Sequence, residues 1–374
     1  MMRRYLHDAL TADLGKKILL LSGPRQCGKT TLSRDLEPDH QYLSQDLAEH
    51  RLILDGKLWD REKSLLILDE LHKRDRWKAW LKGVYDVEGM PPAIIVTGSA
   101  RMSAFGKTGD SLAGRHFAFR LHPIDLAEAL EHTDLAPNEA MSRLLRVGGF
   151  PEPFLDGSER FYRRWRRSHI DLILREDLVT LTAVRDIQSI ETLIELLRRQ
   201  VGSTVSAASL ARDLGKSPTT VQGWLKLLED LFVVFRVTPW HRNVARALLK
   251  EPKFYFHDNG LVLGDDGARL ENLIACALLK AAHVARDVDG RDVAVHYIRD
   301  KEKREVDFAV VEDGEQRRLI EVKLADPVPS PHLARFADAG AGRTQVVGKL
   351  DAARSLPDGT RIEPAVAFLS TLTL

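Results

Sequence analysis

The sequence is poor in cysteine: only Cys27 and Cys276 occur among 374 residues. Two cysteines cannot form a disulfide framework, and such low use is typical of proteins kept in a reducing compartment. A run of about 20 apolar residues, which a membrane-spanning helix needs, is also absent. The first residues, MMRRYLHDALTADL, lack the apolar core of a secretion signal. We therefore expect a soluble cytoplasmic protein that does not enter a membrane.

An excess of charge of one sign is missing as well. The sequence has 55 Lys and Arg against 54 Asp and Glu, a formal net charge of +1. Any affinity for nucleic acid must come from local basic patches, because the field of the whole molecule is weak. Hydrophobic residues make up 44% and charged residues 29%, which excludes disordered, collagen-like and coiled-coil chains. The length predicts two or three domains at about 150 residues each.

Apolar strands alternate with helices in the first part of the chain. The pattern indicates strands at 16–22, 64–70 and 93–99, with helices beginning at Gly28 and Trp77. Near-continuous apolar strands separated by helices predict a parallel sheet covered on both faces. The polar stretch 131–142 and the turn GGFPEP at 148–153 mark the exit from this domain.

A phosphate-binding motif lies between the first strand and its helix. Residues 23–30 read GPRQCGKT and match GxxxxGK[ST]. Backbone N–H groups of such a loop face the phosphates, Lys29 would reach the β and γ oxygens, and Thr30 would ligate Mg²⁺. ATP and Mg²⁺ are thus the predicted cofactors. The predicted nucleotide-binding residues are Gly23, Pro24, Arg25, Gln26, Cys27, Gly28, Lys29, Thr30 and Thr31.

Polar residues end the next two strands. Asp69 can hold the Mg²⁺ shell through water, and Glu70 can polarise an attacking water. The third strand ends in Thr97 and Ser99. A hydroxyl there can orient water near the γ-phosphate, although hydroxyls at strand ends also cap helices. We predict Glu70 and Thr97 as catalytic residues and Asp69 as part of the metal site.

Three residues near the motif have two interpretations each. Arg115 is the first candidate for an arginine that stabilises the transferred phosphoryl group, acting from a neighbouring subunit of a homo-oligomer; a surface salt bridge is the alternative. Asp46 is a nucleotide contact or, in preference, a helix N-cap. Cys27 is either a reactive thiolate, favoured by the helix N-terminus and Lys29, or a small residue turned into the sheet.

Helical patterns follow in the middle of the chain. An Arg-rich helical stretch covers 159–200, and a helix-turn-helix follows, with Ser217 as N-cap and Pro218 at the first helical position. The strand pair after it suggests a winged variant. Side chains of the second helix able to contact DNA are Ser217, Thr219, Thr220, Gln222 and Lys226. The arginines from Arg160 to Arg167 can follow a phosphate backbone or stack on a neighbouring domain.

An acidic pattern marks the C-terminal segment. Glu271 opens a helix, Asp307 lies on one strand, and Glu321 and Lys323 share a face of the next; together they reproduce the PD-(D/E)xK nuclease pattern. Converging carboxylates favour Mg²⁺ or Mn²⁺, so Glu271, Asp307 and Glu321 are candidate ligands and Lys323 a candidate for orienting water. The alternative is an ion pair in a fold that does not cut. The charges at 302–305 are interpreted as a solvated turn, and His72, His116, His122 and His257, which lack zinc spacing, as structural.

Eight motifs together resemble a known family. In order they are GPRQCGKTT, YLSQDLAEHR, LLILDE, IIVTGSAR, SLAGR, GGFPEPFL, KFYFHDNGL and IEVK. They are similar to motifs of bacterial and archaeal AAA-type ATPases that carry a C-terminal domain of unknown function. The resemblance spans nearly the whole chain. It implies an N-terminal ATPase, a winged-helix segment and a restriction-endonuclease-like C-terminal domain.

These observations predict an α/β protein of four segments. They are a P-loop AAA-type ATPase domain at 1–135, a helical linker or lid at 136–200, a winged helix-turn-helix at 201–250 and a restriction-endonuclease-like domain at 251–374. The predicted function is an ATP-hydrolysing switch or motor that repositions the winged helix and the nuclease-like domain on nucleic acid, with DNA as the candidate partner. The alternatives are a nucleotide-controlled DNA-binding regulator that does not cleave, and an ATPase that remodels a protein partner.

Overall fold

A computed structural model describes residues 2–90, 92–99, 112–178, 186–240 and 251–374. The chain divides into two compact units. The first unit comprises Met1–Pro123, Trp165–Arg185 and Asp230–Phe232, and the second comprises Ile124–Arg164, Asp186–Glu229 and Val233–Leu374.

The first unit is built on a five-stranded parallel sheet of order β2-β3-β4-β1-β5. Its strands are β1 Ile18–Ser22, β2 His40–Ser44, β3 Leu65–Asp69, β4 Ala93–Gly98 and β5 His116–Arg120. Its helices are α1 His7–Asp13, α2 Lys29–Asp35, α3 Ala48–Gly56 and α4 Trp77–Glu88, with a 3₁₀ turn at Leu71–Lys73. The sequence missed the edge strands β2 and β5, whose residues are partly polar and half-exposed.

The central strands of this sheet are apolar because both of their faces are covered. Every residue of β3 is buried, as are the first four of β1. The core on one face joins Leu20 and Leu68 of the sheet to Trp77 and Leu81 of α4. Burial of such side chains contributes about 1.5–3 kcal/mol each. This packing fixes the carboxyl ends of β1, β3 and β4 side by side.

The second unit contains most of the remaining helices. They are α5 Leu126–His132, α6 Pro137–Val147, α7 Pro151–Asp156, α9 Ile187–Arg198, α10 Ala207–Leu214, α11 Pro218–Asp230, α12 Asp266–Asp287, α13 Pro331–Phe336 and α14 Ala365–Ser370, with a 3₁₀ turn at Asn259–Leu261. The helix α8 Glu159–Leu172 runs from one unit into the other and continues as a π-helix at Ile173–Asp177.

A mixed eight-stranded sheet of order β12-β13-β11-β10-β9-β8-β6-β7 forms the rest of the second unit. Its strands are β6 Val234–Pro239, β7 Lys253–Phe256, β8 Val293–Arg299, β9 Glu305–Glu312, β10 Glu315–Lys323, β11 Gly342–Val347, β12 Arg354–Ser355 and β13 Arg361–Pro364. The predicted order of strand, helix, three strands, helix and strand is present as β7, α12, β8 to β10, α13 and β11. The α/β class, the N-terminal parallel sheet and the helical middle are confirmed.

The predicted helix-turn-helix is formed by α10 and α11. Gly215 ends α10 with a φ of +62°, a left-handed conformation that favours glycine. Ser217 accepts a hydrogen bond from the backbone N–H of Thr220 at 3.1 Å, as an N-cap does. The following strands β6 and β7 are antiparallel, and β6 also pairs with β8. The strand pair assigned to the winged segment is therefore part of the eight-stranded sheet.

Candidate functional site

The loop between β1 and α2 has the backbone that the phosphate-binding motif requires. Gly23 has a φ of +157°, and a Cβ placed on it would lie 2.3 Å from the carbonyl oxygen of Leu121. Gly28 has a φ of +99° where α2 begins. Gln26 also adopts a positive φ, +62°, which is uncommon for a residue with a side chain. The turn is thus a tight structure that only glycine allows at two positions.

Lys29 is buried in this loop. Its Nζ donates to the carbonyl oxygens of Gly23 at 2.9 Å and Pro24 at 2.7 Å. The ammonium is therefore held within the loop that would surround the phosphates, where a bound nucleotide would compete for it.

The N-terminal residues Arg4 and Tyr5, which sequence reasoning missed, brace the loop. Arg4 is buried and donates to the carbonyl oxygens of Cys27 at 2.7 Å and His122 at 2.6 Å. Tyr5 donates to the carbonyl oxygen of Arg120 at 2.6 Å. Hydrogen bonds from a charged donor contribute about 1.5–3 kcal/mol each. No motif marks Arg4, because its partners lie far along the chain.

Asp69 accepts hydrogen bonds from three hydroxyl groups. Its Oδ2 accepts from Thr30 at 3.1 Å and from Tyr42 at 2.5 Å, and its Oδ1 accepts from Thr97. Burial, together with the Asp69 carboxylate, raises the pKa of Tyr42 to about 12. The structure thus brings together Thr30 and Asp69 as predicted, directs Thr97 at Asp69, and adds Tyr42, which the sequence did not single out.

These oxygens fit a Mg²⁺ ion that is held mainly by its nucleotide. A hydroxyl and a carboxylate stand within 3.1 Å of each other beside the loop. In the described ranges, no group of three or more His, Cys, Asp or Glu residues could hold a metal ion by itself. Mg²⁺ in nucleotide sites typically takes only one or two protein oxygens, with phosphates and water as the rest.

Glu70 follows Asp69 with a φ of +55°. Its N–H donates to the carbonyl oxygen of Thr97 at 2.9 Å, and its Oε2 accepts from the Ser99 hydroxyl at 3.2 Å. Lys73 Nζ lies 3.8 Å from the same carboxylate and 2.8 Å from Asp46. The two adjacent carboxylates thus have different partners.

The structure corrects the interpretation of Asp46 and places Arg115 away from the loop. Asp46 does not cap α3: the N-cap is Leu47, without a side-chain hydrogen bond, and Asp46 pairs with Lys73. Arg115 donates to both oxygens of Asp86 at 2.6 and 3.0 Å. Its carbonyl accepts from Ile18, at the start of β1. The loop follows the carboxyl end of β1, whereas Arg115 lies beside its amino end. Within one chain, Arg115 and the loop are therefore at opposite ends of the strands.

Cys27 is turned into the sheet. Its side chain is 0% exposed, and Sγ lies 3.6 Å from the carbonyl oxygen of Leu121. This geometry matches the second interpretation of Cys27, a small buried residue, and leaves the thiol inaccessible to reagents in this conformation. The Cys276 thiol donates to the carbonyl oxygen of Phe256 at 3.1 Å, and burial raises its pKa.

Other loop residues have distinct surroundings. Gln26 Oε1 accepts from Nδ1 of His169 at 2.8 Å, and the His169 ring stacks on Trp165 with centroids 4.5 Å apart. Burial, followed by the charges of Arg25 and Lys29, lowers the pKa of His169 to about 3. Thr31 is exposed on the first turn of α2. His169 is thus a neutral donor beside the loop at physiological pH, which sequence reasoning missed.

Two predicted acidic residues of the second unit, together with Glu305, surround a lysine. Lys253 Nζ lies 2.6 Å from Glu305, 3.4 Å from Glu271 and 3.8 Å from Asp307. Burial alone would lower the pKa of Lys253, but these carboxylates outweigh it and raise the pKa. Burial, followed by Glu271 and Glu321, raises the pKa of Asp307 well above its ordinary value.

Two expectations about this region change. Glu305 is not part of a solvated turn, because it begins β9 and pairs with the buried Lys253. Glu321 and Lys323 form an ion pair at 2.8 Å, as the alternative interpretation of the pattern expects. Sequence reasoning missed Lys253, which directly precedes the apolar residues FYF of β7.

No helix in the described segments is both long and apolar enough to span a membrane.

Three family models match consecutive parts of the chain. Residues 15–130 match an AAA domain, residues 138–265 a domain of unknown function (DUF8612) and residues 266–360 a domain of unknown function (DUF4143). The chain therefore has an N-terminal AAA-type ATPase domain followed by two domains without an assigned role. An AAA-type ATPase domain implies ATP binding and hydrolysis, typically with Mg²⁺.

Two relatives carry the description uncharacterized protein. One from Mycobacterium tuberculosis is 31% identical over 72% of this chain and 60% of its own length, and one from Haemophilus influenzae is 23% identical over 71% and 75%. The chain thus spans about 60% of the length of the mycobacterial relative. A signal transduction ATPase of the STAND class from Pyrococcus horikoshii aligns over 76% of this chain and 51% of that one, at 13% identity and a TM-score of 0.22.

Proposed function

We propose that this chain is a nucleotide-dependent switch that binds ATP with Mg²⁺ and hydrolyses it. The observation that carries the proposal is the hydrogen bond from Thr30, which follows the phosphate-binding loop, to Asp69 at the end of β3, with Thr97 of β4 bonded to the same carboxylate. Lys29 would hold the β and γ oxygens, and Thr30 and Asp69 would hold the Mg²⁺ shell. Bound Mg²⁺ would neutralise charge on the phosphates.

Glu70 is the proposed general base. It lies one residue beyond Asp69, and its carboxylate accepts from Ser99 at the end of the adjacent strand β4. Ser99 would orient this carboxylate toward a water molecule. Thr97, predicted as a catalytic hydroxyl, is fully buried and bonded to Asp69, so its proposed role is to position Asp69. Arg115 can serve only a neighbouring subunit, after leaving Asp86.

Binding of a fluorescent ATP analogue to Lys29→Ala tests the nucleotide site. Nucleotide binding should be lost, because the substitution removes the ammonium group that would hold the β and γ phosphate oxygens. Lys16→Ala is the matched control: its lysine is exposed and pairs with Asp13 at 3.2 Å. Undiminished binding by a folded Lys29→Ala protein would reject the proposed site.

We further propose that the chain acts on DNA without cutting it. The support is the face of α11: Ser217, Thr219, Thr220, Gln222 and Lys226 are exposed, whereas Val221, Trp224 and Leu228 are buried. Exposed polar side chains along a helix after a turn suit contacts with phosphates and base edges. Arg160, Arg163, Arg164 and Arg167 of α8 are also exposed and could follow a phosphate backbone.

Stimulation of the ATPase rate by DNA tests this partner. Single-stranded, duplex and branched DNA should be compared at fixed salt, because phosphate contacts weaken as salt rises. Lys226→Glu should reduce the stimulation, and Lys301→Glu, at an exposed turn elsewhere, should not. If no DNA changes the rate, the protein-remodelling alternative is favoured.

A further inference from the structure

The four residues of the nuclease pattern do converge in the second unit. Asp307 on β9 lies opposite the carboxyl end of β10, since its Oδ2 accepts from the N–H of Val322 at 2.8 Å. Glu271 on α12 and Glu321 on β10 are close enough to disfavour the charged form of Asp307. A metal ion could be expected to neutralise such a group of carboxylates. Whether a metal ion fits among these carboxylates depends on which of their oxygen atoms have no other partner.

Lys253 occupies the centre of this group. Its side chain comes from β7 and is only 1% exposed. Its ammonium lies 2.6 Å from Glu305, 3.4 Å from Glu271 and 3.8 Å from Asp307. A divalent cation bound by these carboxylates would need their oxygens at about 2.0–2.6 Å. The ion and the ammonium cannot share this position, because two positive charges would then be buried together.

Several carboxylate oxygens of the cluster already have partners. Oε1 of Glu271 accepts from the Tyr255 hydroxyl at 2.7 Å as well as from Lys253. A Cβ on Gly202 would lie 2.7 Å from Oε2 of the same carboxylate, so that oxygen lies close to the backbone of Gly202. Oε1 of Glu321 pairs with Lys323 at 2.8 Å. Within the described part of the chain, Oε2 of Glu321 is buried without a hydrogen-bond partner, but a single oxygen does not make a metal site.

The charges also nearly cancel without an ion. Among the described residues, Glu271, Glu305, Asp307 and Glu321 are accompanied by Lys253, Lys323 and Arg299, the last 3.5 Å from Glu305. Four acidic groups thus meet three fixed cations. A divalent ion would add positive charge to a cluster that these basic side chains already nearly neutralise.

We propose that Lys253 is a built-in cation that takes the place of the divalent metal, so that this cluster holds the sheet and α12 together and does not catalyse phosphodiester cleavage. The inference is independent of the ATPase proposal. It has a specific consequence: removing the ammonium while keeping the carboxylates should create a metal site that the natural protein lacks.

Titration of the full-length chain with Mn²⁺, followed by electron paramagnetic resonance without nucleotide, tests this. All proteins carry Asp69→Asn, so that the phosphate-binding loop does not contribute a carboxylate. Lys253→Met should bind Mn²⁺ at least about tenfold more tightly than the Asp69→Asn parent, and Asp307→Asn added to it should abolish the gain. Lys253→Arg retains a positive charge and should show no gain.

A folding measurement covers the case in which Lys253→Met is unstable. Circular dichroism should then show that Mn²⁺ restores its structure, because the ion replaces the lost cation. If the variant stays unfolded even with Mn²⁺, the Asp69→Asn parent provides the test. Absence of Mn²⁺ binding by this parent supports the proposal. Mn²⁺ binding by the parent that Asp307→Asn abolishes, or Mn²⁺-dependent nicking of DNA that Asp307→Asn abolishes, overturns it.

Discussion

The hydroxyl of Thr30, on the first turn of α2, donates to Oδ2 of Asp69 at the end of β3 across 3.1 Å. This contact joins the phosphate-binding loop to the second strand of the predicted motif. It exists because parallel strands place their carboxyl ends at one edge of the sheet. Tyr42 and Thr97 donate to the same carboxylate.

Tyr42 should contribute to both stability and turnover. Tyr42→Phe removes the hydroxyl that donates to Asp69 at 2.5 Å. We expect the free energy of unfolding to fall by about 1 kcal/mol. The ATPase rate should fall by about three- to tenfold, because Asp69 loses one of the groups that orient it. Tyr85→Phe, at a tyrosine packed against the core of this unit, is the control for loss of a tyrosine hydroxyl, and an equal effect on turnover would contradict the role of Tyr42.

Arg4 should be required for a tightly formed loop. Arg4→Met removes two buried hydrogen bonds, to Cys27 and His122. We expect a loss of about 3 kcal/mol in the free energy of unfolding by urea and weaker ATP binding, because the carbonyl of Cys27 is no longer fixed. Arg3→Met, whose exposed arginine pairs with Asp8, should change neither. Normal ATP affinity in Arg4→Met would show that the loop does not need this brace.

His169 should make stability depend on pH. Its pKa is lowered from 6.5 to about 3 in the folded chain, so below pH 6.5 the unfolded chain takes up a proton that the folded chain does not. The stability that neutral His169 contributes to the folded chain is fully present above pH 6.5. It is lost as the pH falls from 6.5 toward 3, by about 1.4 kcal/mol per pH unit.

His169→Gln removes the titrating group and keeps a donor for Gln26. When the pH is lowered from 7 to 5, the free energy of unfolding of the variant should rise by about 2 kcal/mol relative to that of the natural chain. Urea unfolding at the two pH values measures this difference. A difference between the two proteins that is the same at every pH would show that His169 does not titrate in this way.

Arg115 should matter only between subunits. If it acts on a neighbour's nucleotide, specific ATPase activity should rise with protein concentration, and a mixture of Lys29→Ala with Arg115→Ala should recover activity. Asp86→Ala removes the partner of Arg115 and should not lower the rate. Neither substitution should change the free energy of unfolding appreciably, because ion pairs exposed to solvent contribute little to stability. If Arg115→Ala keeps its ATPase activity, the role of Arg115 is limited to its salt bridge with Asp86.

The sequence predicted the features that depend on local pattern. The apolar runs at Leu65–Asp69 and Ala93–Gly98 became strands, and Gly28 and Lys29 became the start of α2. It also predicted the helix-turn-helix cap at Ser217. In each case, neighbouring residues determine the structure through period, turn or cap chemistry.

Contacts between distant segments could not be predicted in the same way. Tyr42 lies on an edge strand whose outer residues are half-exposed, so no apolar pattern marks it. Lys253 is on β7, whereas its partners Glu271, Glu305 and Asp307 lie on α12 and β9. The pattern of carboxylates therefore predicts a metal, because the lysine that lies among them comes from a segment outside the pattern.

The most direct test of the central claim separates nucleotide binding from hydrolysis at Glu70. ATP affinity and single-turnover hydrolysis should be measured on the same preparations of the natural chain and Glu70→Gln. The account predicts unchanged affinity and hydrolysis slowed by about 100-fold or more, because the amide cannot accept a proton from water. Equal hydrolysis rates in the two proteins would contradict the assignment of Glu70 as the base.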